Sequence, residues 1–92
     1  MTVRWTPTAL RDLESLHAYV SQDSEAAAAK TVETILAGLE AIERFPAMGR
    51  KGRVAGTREL LVSPFIVTYR LKTEAIEIVA IMHSARRWPE SF

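Results

Sequence analysis

The chain lacks cysteine altogether and has only two histidines among its 92 residues. Without cysteine, disulfides and thiolate–metal sites are excluded. His17 and His83 stand far apart, with no set of acidic ligands beside either of them. Phosphate-binding P-loops, a GxGxxG fingerprint, a Ser/His/Asp arrangement and paired catalytic carboxylates are absent as well. We therefore expect neither a metal nor a cofactor, and any chemistry must come from ordinary side chains.

Long apolar runs are also missing. The longest, residues 78–82, is far shorter than the ~20 residues that a transmembrane helix needs. The opening residues MTVRWTPTAL contain no apolar segment of the kind found in secretory signals. We therefore expect a cytoplasmic protein that does not contact a membrane. Its length, with 48% apolar residues, predicts one globular domain over residues 1–92.

The net charge of +1 conceals two halves of opposite sign. Residues 1–49 carry four basic and seven acidic residues, a net charge of −3, whereas residues 50–92 carry eight basic and four acidic residues, a net charge of +4. A basic half on a nearly neutral protein favours an anionic partner, either nucleic acid or an acidic protein segment. A solvated basic surface without a partner is the alternative interpretation.

The first half has the spacing of two amphipathic helices. A short strand candidate at residues 3–6 is followed by Thr6 and Pro7, which supply an N-cap and a proline for the first helical turn. Apolar residues then recur at three- and four-residue spacing up to about residues 21–23. Ser24 can cap a second helix, which Pro46 ends. The pattern predicts a strand followed by an antiparallel helical hairpin.

Beyond residue 46 the period changes to two. Residues 59–62, 65–72 and 76–82 are predicted strands, connected by turns at Ser63-Pro64 and Thr73-Glu74. They would form a three-stranded antiparallel meander. The predicted fold is α+β, with both helices packed on one face of the sheet. Arg70 lies on the opposite face of its strand, which we expect to be free for function.

A cluster of four cations without an acid among them lies between residues 50 and 58. Its members are Arg50, Lys51, Arg53 and Arg58, with glycines interleaved. Arginine binds phosphate through two N–H groups, and glycine allows a phosphate backbone to approach closely. We therefore predict that this cluster contacts RNA or another target. A solubilising loop, or an ion pair between Arg58 and an acid on a helix, is the alternative.

A second cluster lies at the end of the last predicted strand. His83 would lie near Arg70 or Thr68 if the strand register allows it, with Arg86 and Arg87 close behind. An imidazole can act as general acid or base while arginines stabilise a pentavalent phosphorane, which is what RNA cleavage requires. Alternatively, His83 only forms hydrogen bonds with the backbone at the strand end.

The two tryptophans, Trp5 and Trp88, could stack on nucleic-acid bases. A single tryptophan more often packs against the sheet or a partner. We therefore predict packing for both.

Five segments, in this order, resemble the RelE/ParE superfamily of bacterial toxins. They span about residues 3–89 and read VRWTPTALRDLESLHAYV, FPAMGR, GTREL, IVTYR and HSARRWP. Each segment alone has low specificity, but the five in sequence are specific for the superfamily. The resemblance implies the same helical hairpin on a sheet.

The resemblance also implies a function as the growth-inhibiting toxin of a type II toxin–antitoxin module, neutralised by a cognate antitoxin whose C-terminal segment wraps around the toxin. The predicted activity is that of RelE-like members, which cleave messenger RNA at the ribosome. The expected catalytic residues are then Arg70, His83 and Arg86, with Arg50, Lys51, Arg53, Arg58 and Arg87 as contacts. The alternative is that of ParE-like members, which inhibit DNA gyrase without catalysis. A non-toxic module that only binds antitoxin is the third possibility.

Overall fold

The computed structural model describes residues 1–85. Neither helix in this part of the chain is long and apolar enough to cross a membrane. The elements in chain order are β1 (Thr2–Trp5), α1 (Pro7–Ser21), α2 (Glu25–Arg44), β2 (Arg50–Lys51), β3 (Arg58–Val62), β4 (Phe65–Leu71) and β5 (Ala75–His83).

Both helices begin where the sequence predicts. The Thr6 hydroxyl accepts a hydrogen bond from the backbone N–H of Ala9, and the Ser24 hydroxyl accepts one from that of Ala27, each at 3.1 Å. Each cap satisfies a backbone donor that has no partner within its helix. Glu25 in the first turn of α2 adds a favourable charge at the positive end of the helix dipole.

The strands of residues 1–85 form one five-stranded sheet in the order β1-β5-β4-β3-β2. The predicted antiparallel meander of β3, β4 and β5 is confirmed. β1 pairs in parallel with β5, so that the N-terminus forms one edge of the sheet. The other edge is β2, which pairs with β3 and which the sequence analysis missed because two residues are too short to show an alternating pattern.

The two helices cover one face of this sheet, as predicted. Apolar side chains from α1, α2, β4 and β5 form the core, and Trp5 packs against it, which confirms the packing predicted for that residue. The buried members of the core are Ala9, Leu16, Ile35, Leu39, Ile42, Phe65, Val67, Tyr69, Ile76, Ile78 and Ile81.

The opposite face of β4 is not free, contrary to the expectation from sequence. Ile66 is 1% exposed and Thr68 is fully buried. Their neighbours across the strand pair, Met82 and Ala80, are buried too. The alternation of side chains along β4 indicated which residues share a face. It did not indicate that this second face is buried as well. Only the end of the strand, at Arg70, is partly open.

A β-bulge joins the sheet to α1. Val79 is an extra residue on β5, because Thr68 pairs with Ala80 while Tyr69 pairs with Ile78. A bulge leaves backbone groups outside the regular ladder. Here the Thr6 hydroxyl lies 2.8 Å from the carbonyl oxygen of Ile78, and an Asp12 carboxylate oxygen accepts the N–H of Ile81 at 2.9 Å.

Asp12→Ala is expected to lower the free energy of unfolding by about 1–3 kcal/mol, because it leaves the N–H of buried Ile81 without an acceptor. Asp12→Asn retains an acceptor oxygen and should lose less. Urea denaturation of both variants measures the difference. Glu14→Ala, at an exposed position of the same helix, is the control, and an equal loss there would contradict a specific role for Asp12.

Candidate functional site

The basic cluster is built around a buried acid, Glu59. One carboxylate oxygen accepts hydrogen bonds from Nε and Nη2 of Arg50 at 3.2 and 3.0 Å. The other accepts the backbone N–H of Arg53 at 2.8 Å and its Nε at 3.3 Å. Glu59 is 3% exposed, whereas the arginine side chains remain 58% and 42% exposed. The buried Glu59 carboxylate thus fixes both guanidinium groups from the interior side, while both arginine side chains stay partly exposed to solvent.

The charge of Glu59 lowers the electrostatic potential of this cluster. Burial alone would raise the pKa of Glu59, but the backbone N–H of Arg53 and the guanidinium groups of Arg50 and Arg53 together lower it below its ordinary value. The carboxylate therefore stays ionised at neutral pH. It cancels one of the positive charges that the sequence analysis assigned to target binding.

The other two cations of the cluster differ from each other. Nη1 of Arg58 donates to the carbonyl oxygens of Gly49 and Ala47 at 2.8 and 3.2 Å, so it binds the backbone before β2 rather than an acid on a helix. Lys51 is exposed and forms no ion pair with the residues that the structure describes. Of the four cations, Lys51 is the one most available to a partner.

Tyr69 fixes the same backbone segment from inside the core. Its hydroxyl donates to the carbonyl oxygen of Pro46 at 2.8 Å and accepts the N–H of Gly49 at 2.9 Å. Burial raises the pKa of Tyr69, and the Gly49 hydrogen bond and the Arg58 charge offset this only in part. The residue is a structural anchor that holds β2 and the basic cluster against the sheet. The sequence showed only a core aromatic at this position.

Arg70 and His83 lie at opposite ends of the β4–β5 pair. The register places His83 opposite Phe65, whereas Arg70 is opposite Glu77. At about 3.3 Å per residue, the five residues from Phe65 to Arg70 separate the two positions along the strands by roughly 17 Å. The structure therefore does not bring together the imidazole and the guanidinium that the sequence analysis combined in one catalytic site.

His83 instead borders a groove between α1 and the end of β5. Its ring packs edge-on against Phe65 with centroids 5.7 Å apart, and its Nδ1 accepts the backbone N–H of Ala85 at 3.1 Å. The groove has a volume of about 450 Å³ and is lined by Asp12, Ser15, Leu16, Tyr19, Phe65, Ile81 and His83. The backbone contact predicted as the alternative role of His83 is present.

Arg86 and Arg87 of the predicted second cluster lie outside the described residues, as does Trp88, for which packing was predicted. Within residues 1–85, no group of three or more His, Asp or Glu side chains is arranged to hold a metal ion.

Comparison with known proteins decides the family. The model of the family described as the ParE toxin of the type II toxin–antitoxin system parDE matches residues 3–88. The chain belongs to this family. The protein Y4kP of Sinorhizobium fredii is 40% identical over 90 residues, which are 96% of this chain and 93% of that protein. Toxin RelE3 of Caulobacter vibrioides is 30% identical over 94% of this chain and 97% of its own length.

Two solved structures have the fold of this ParE-family toxin. The chromosomal ParDE toxin–antitoxin system of P. aeruginosa contains a chain with a TM-score of 0.78 and 30% identity, covering 90% of this chain and 95% of that one. The toxin–antitoxin complex RelBE2 of Mycobacterium tuberculosis gives a TM-score of 0.63 and 28% identity, over 89% and 95% of the two chains. The protein is thus a toxin of a type II toxin–antitoxin module with the RelE/ParE fold.

Proposed function

We propose that this toxin stops growth by binding its target, DNA gyrase, in the manner of ParE-like members of the superfamily, and not by cleaving RNA. A cognate antitoxin encoded beside it is the neutralising partner, and the pair acts in the cytoplasm. The match of residues 3–88 to the ParE family supports this assignment.

The observation that carries the proposal is the strand register between β4 and β5. RNA cleavage by side chains needs an acid or base within hydrogen-bond reach of the reacting group, and cations next to the same phosphate. The strand register separates His83 from Arg70 by roughly 17 Å, which is several times the width of one phosphate group. This separation is evidence against joint action of the predicted catalytic pair on one phosphodiester bond.

The basic cluster also suits binding better than chemistry. Glu59 and the backbone segment before β2 occupy donors of Arg50, Arg53 and Arg58. A guanidinium held in this way offers a fixed charge to a partner surface without rearranging. Electrostatic steering of this kind speeds association with an acidic partner.

Ribosome-dependent RNA cleavage is the second candidate, and His83 is the observation that favours it. The imidazole is exposed, and Nδ1 accepts the N–H of Ala85, so Nε2 carries the proton of the neutral ring and faces no described partner. Such a group could exchange protons with RNA bound at the groove.

His83→Ala separates the two candidates. If the toxin acts by binding gyrase, inducible expression of this variant without the antitoxin should arrest growth as strongly as the wild type, and primer extension should reveal no new messenger RNA ends. His17→Ala, which removes an exposed histidine from α1, is the matched control, and immunoblotting verifies equal amounts of protein. Growth arrest lost in His83→Ala but kept in His17→Ala, with cleaved messenger RNA in the wild type, would establish the RNase instead.

A further inference from the structure

A row of alternating charges crosses three strands at the end of the sheet away from His83. Glu77 on β5 pairs in register with Arg4 on β1 and with Arg70 on β4. Nη2 of Arg4 lies 3.8 Å from a carboxylate oxygen of Glu77. The row has two positive charges and one negative charge, and so a net charge of +1.

Arg70 is the member of the row whose charge is not compensated. It forms no hydrogen bond or ion pair with any residue of the part that the structure describes, although it is only partly exposed. Glu77 lies directly opposite Arg70 across the strands. The cation within ion-pair distance of the Glu77 carboxylate, however, is Arg4. A guanidinium carries five N–H donors, and removing them from water without an acceptor costs free energy. An incoming anion would supply the missing acceptor.

The Arg70 recess, lined by Thr6, Thr8, Arg70, Glu77 and Val79, has a volume of about 270 Å³. The Thr6 hydroxyl is already used, since it binds the carbonyl oxygen of Ile78 and the N–H of Ala9. The Thr8 hydroxyl only accepts a long contact of 3.4 Å from Arg11, so its own hydrogen remains available. The recess therefore presents a guanidinium and a hydroxyl donor to one small group.

We propose that the Arg70 recess binds the carboxylate of an acidic side chain from a protein partner. That partner is the cognate antitoxin, so this inference rests on the proposed function. Two carboxylate oxygens match the parallel N–H groups of a guanidinium, and such bonds are among the strongest in proteins. A single carboxylate also neutralises the net charge of +1 on the row. This recess is separate from the basic cluster at β2 and from the groove at His83.

The surroundings of the recess favour a carboxylate over a nucleic-acid backbone. Glu77 lines the recess, and exposed Glu74 follows in the turn before β5. Duplex DNA presents one negative charge for every ~1.7 Å of its axis, so several phosphates would face these two acids at once. One acidic side chain reaches Arg70 without bringing further charges near Glu77.

The first test is an NMR titration of the isolated chain labelled with ¹⁵N-arginine, using N-acetylglutamate N-methylamide as the probe. A saturable shift of the Arg70 Nε–Hε signal is expected with this probe and not with its uncharged glutamine analogue. The signal is assigned by its disappearance in Arg70→Gln, and its shift should be retained in Lys72→Gln, which removes an exposed cation just after β4. No shift, or a shift with inorganic phosphate alone, would overturn the proposal.

The second test measures the affinity of the antitoxin encoded beside the toxin. Loss of one charge-assisted contact predicts that Arg70→Gln weakens binding by about 10- to 100-fold, with a much smaller effect of Lys72→Gln. Equal affinity of wild type and Arg70→Gln would overturn the antitoxin as the occupant. Neither test depends on the target of the toxin, so failure of the gyrase assignment would be seen separately, in the growth experiment.

Discussion

Glu59→Gln is expected to lower the free energy of unfolding by about 2–3 kcal/mol at pH 7. The change removes the charge that accepts hydrogen bonds from two guanidinium groups and a backbone N–H, and hydrogen bonds to charged groups contribute more than neutral ones. The arginines are partly exposed and can turn into solvent, so the loss should stay below that of a fully buried ion pair. Urea denaturation measures it, with Glu74→Gln as a control at an exposed turn position.

The loss should depend on pH in a defined direction. The pKa of Glu59 is lowered in the folded protein, so its ionised form stabilises the fold fully above the unfolded value of about 4.3. That contribution disappears as the pH falls through the lower folded value. Wild type and Glu59→Gln should therefore differ clearly at pH 7 and converge in strong acid. A difference that is independent of pH would contradict the role given to the charge.

Gly49→Ala is expected to destabilise the fold by about 3 kcal/mol. A Cβ at this buried position would collide with the Tyr69 hydroxyl and lie 2.8 Å from Cε1 of the same ring. Relieving that overlap means moving the ring or breaking its hydrogen bonds to Gly49 and Pro46. Thermal or urea denaturation gives the size of the loss.

Two further variants test the cause of this effect. Gly38→Ala makes the same chemical change, but its nearest contact is the end of the flexible Leu60 side chain, and alanine favours a helix, so little stability should be lost. In a Tyr69→Phe background the most severe overlap of Gly49→Ala is gone. The double variant should therefore lose less stability than the sum of the losses in the two single variants. Strict additivity would exclude the Tyr69 hydroxyl as the obstacle.

Local signals in the sequence predicted most of the fold. Thr6 and Ser24 fix the starts of the helices through their own side-chain hydrogen bonds, which depend on residues only three positions away. The strands β3, β4 and β5 follow from alternation and from the turns between them. The edges of the sheet were harder to predict. A strand was predicted close to β1, but its pairing with a strand more than seventy residues away was not, and β2 has only two residues.

The candidate site was predicted less well, because it depends on contacts across strands. The basic cluster had no acid between residues 50 and 58, but Glu59, the next residue, lies directly opposite Arg50 once β2 and β3 pair. No local sequence pattern predicts the pairing of β2 with β3. The same holds for Tyr69, whose hydroxyl meets the backbone at Gly49 only in the folded chain.

The relation of Arg70 to His83 shows the same limit. The two residues lie on neighbouring strands, so sequence alone allowed them to be close. The turn between β4 and β5 sets the register, and that register pairs Arg70 with Glu77 near the turn and leaves His83 at the far end. His83 lies six residues beyond Glu77 on β5, so only a large change of register would place it opposite Arg70.

The most direct test of the proposed mechanism is inducible expression of the toxin without its antitoxin, with DNA and protein synthesis followed separately by pulse labelling in the same cultures. Gyrase inhibition predicts an early arrest of DNA synthesis with filamentation, while protein synthesis continues at first. An immediate fall in protein synthesis with DNA synthesis initially spared would contradict the proposal and favour ribosome-dependent RNA cleavage. Unimpaired growth would contradict both and leave a module that only binds antitoxin.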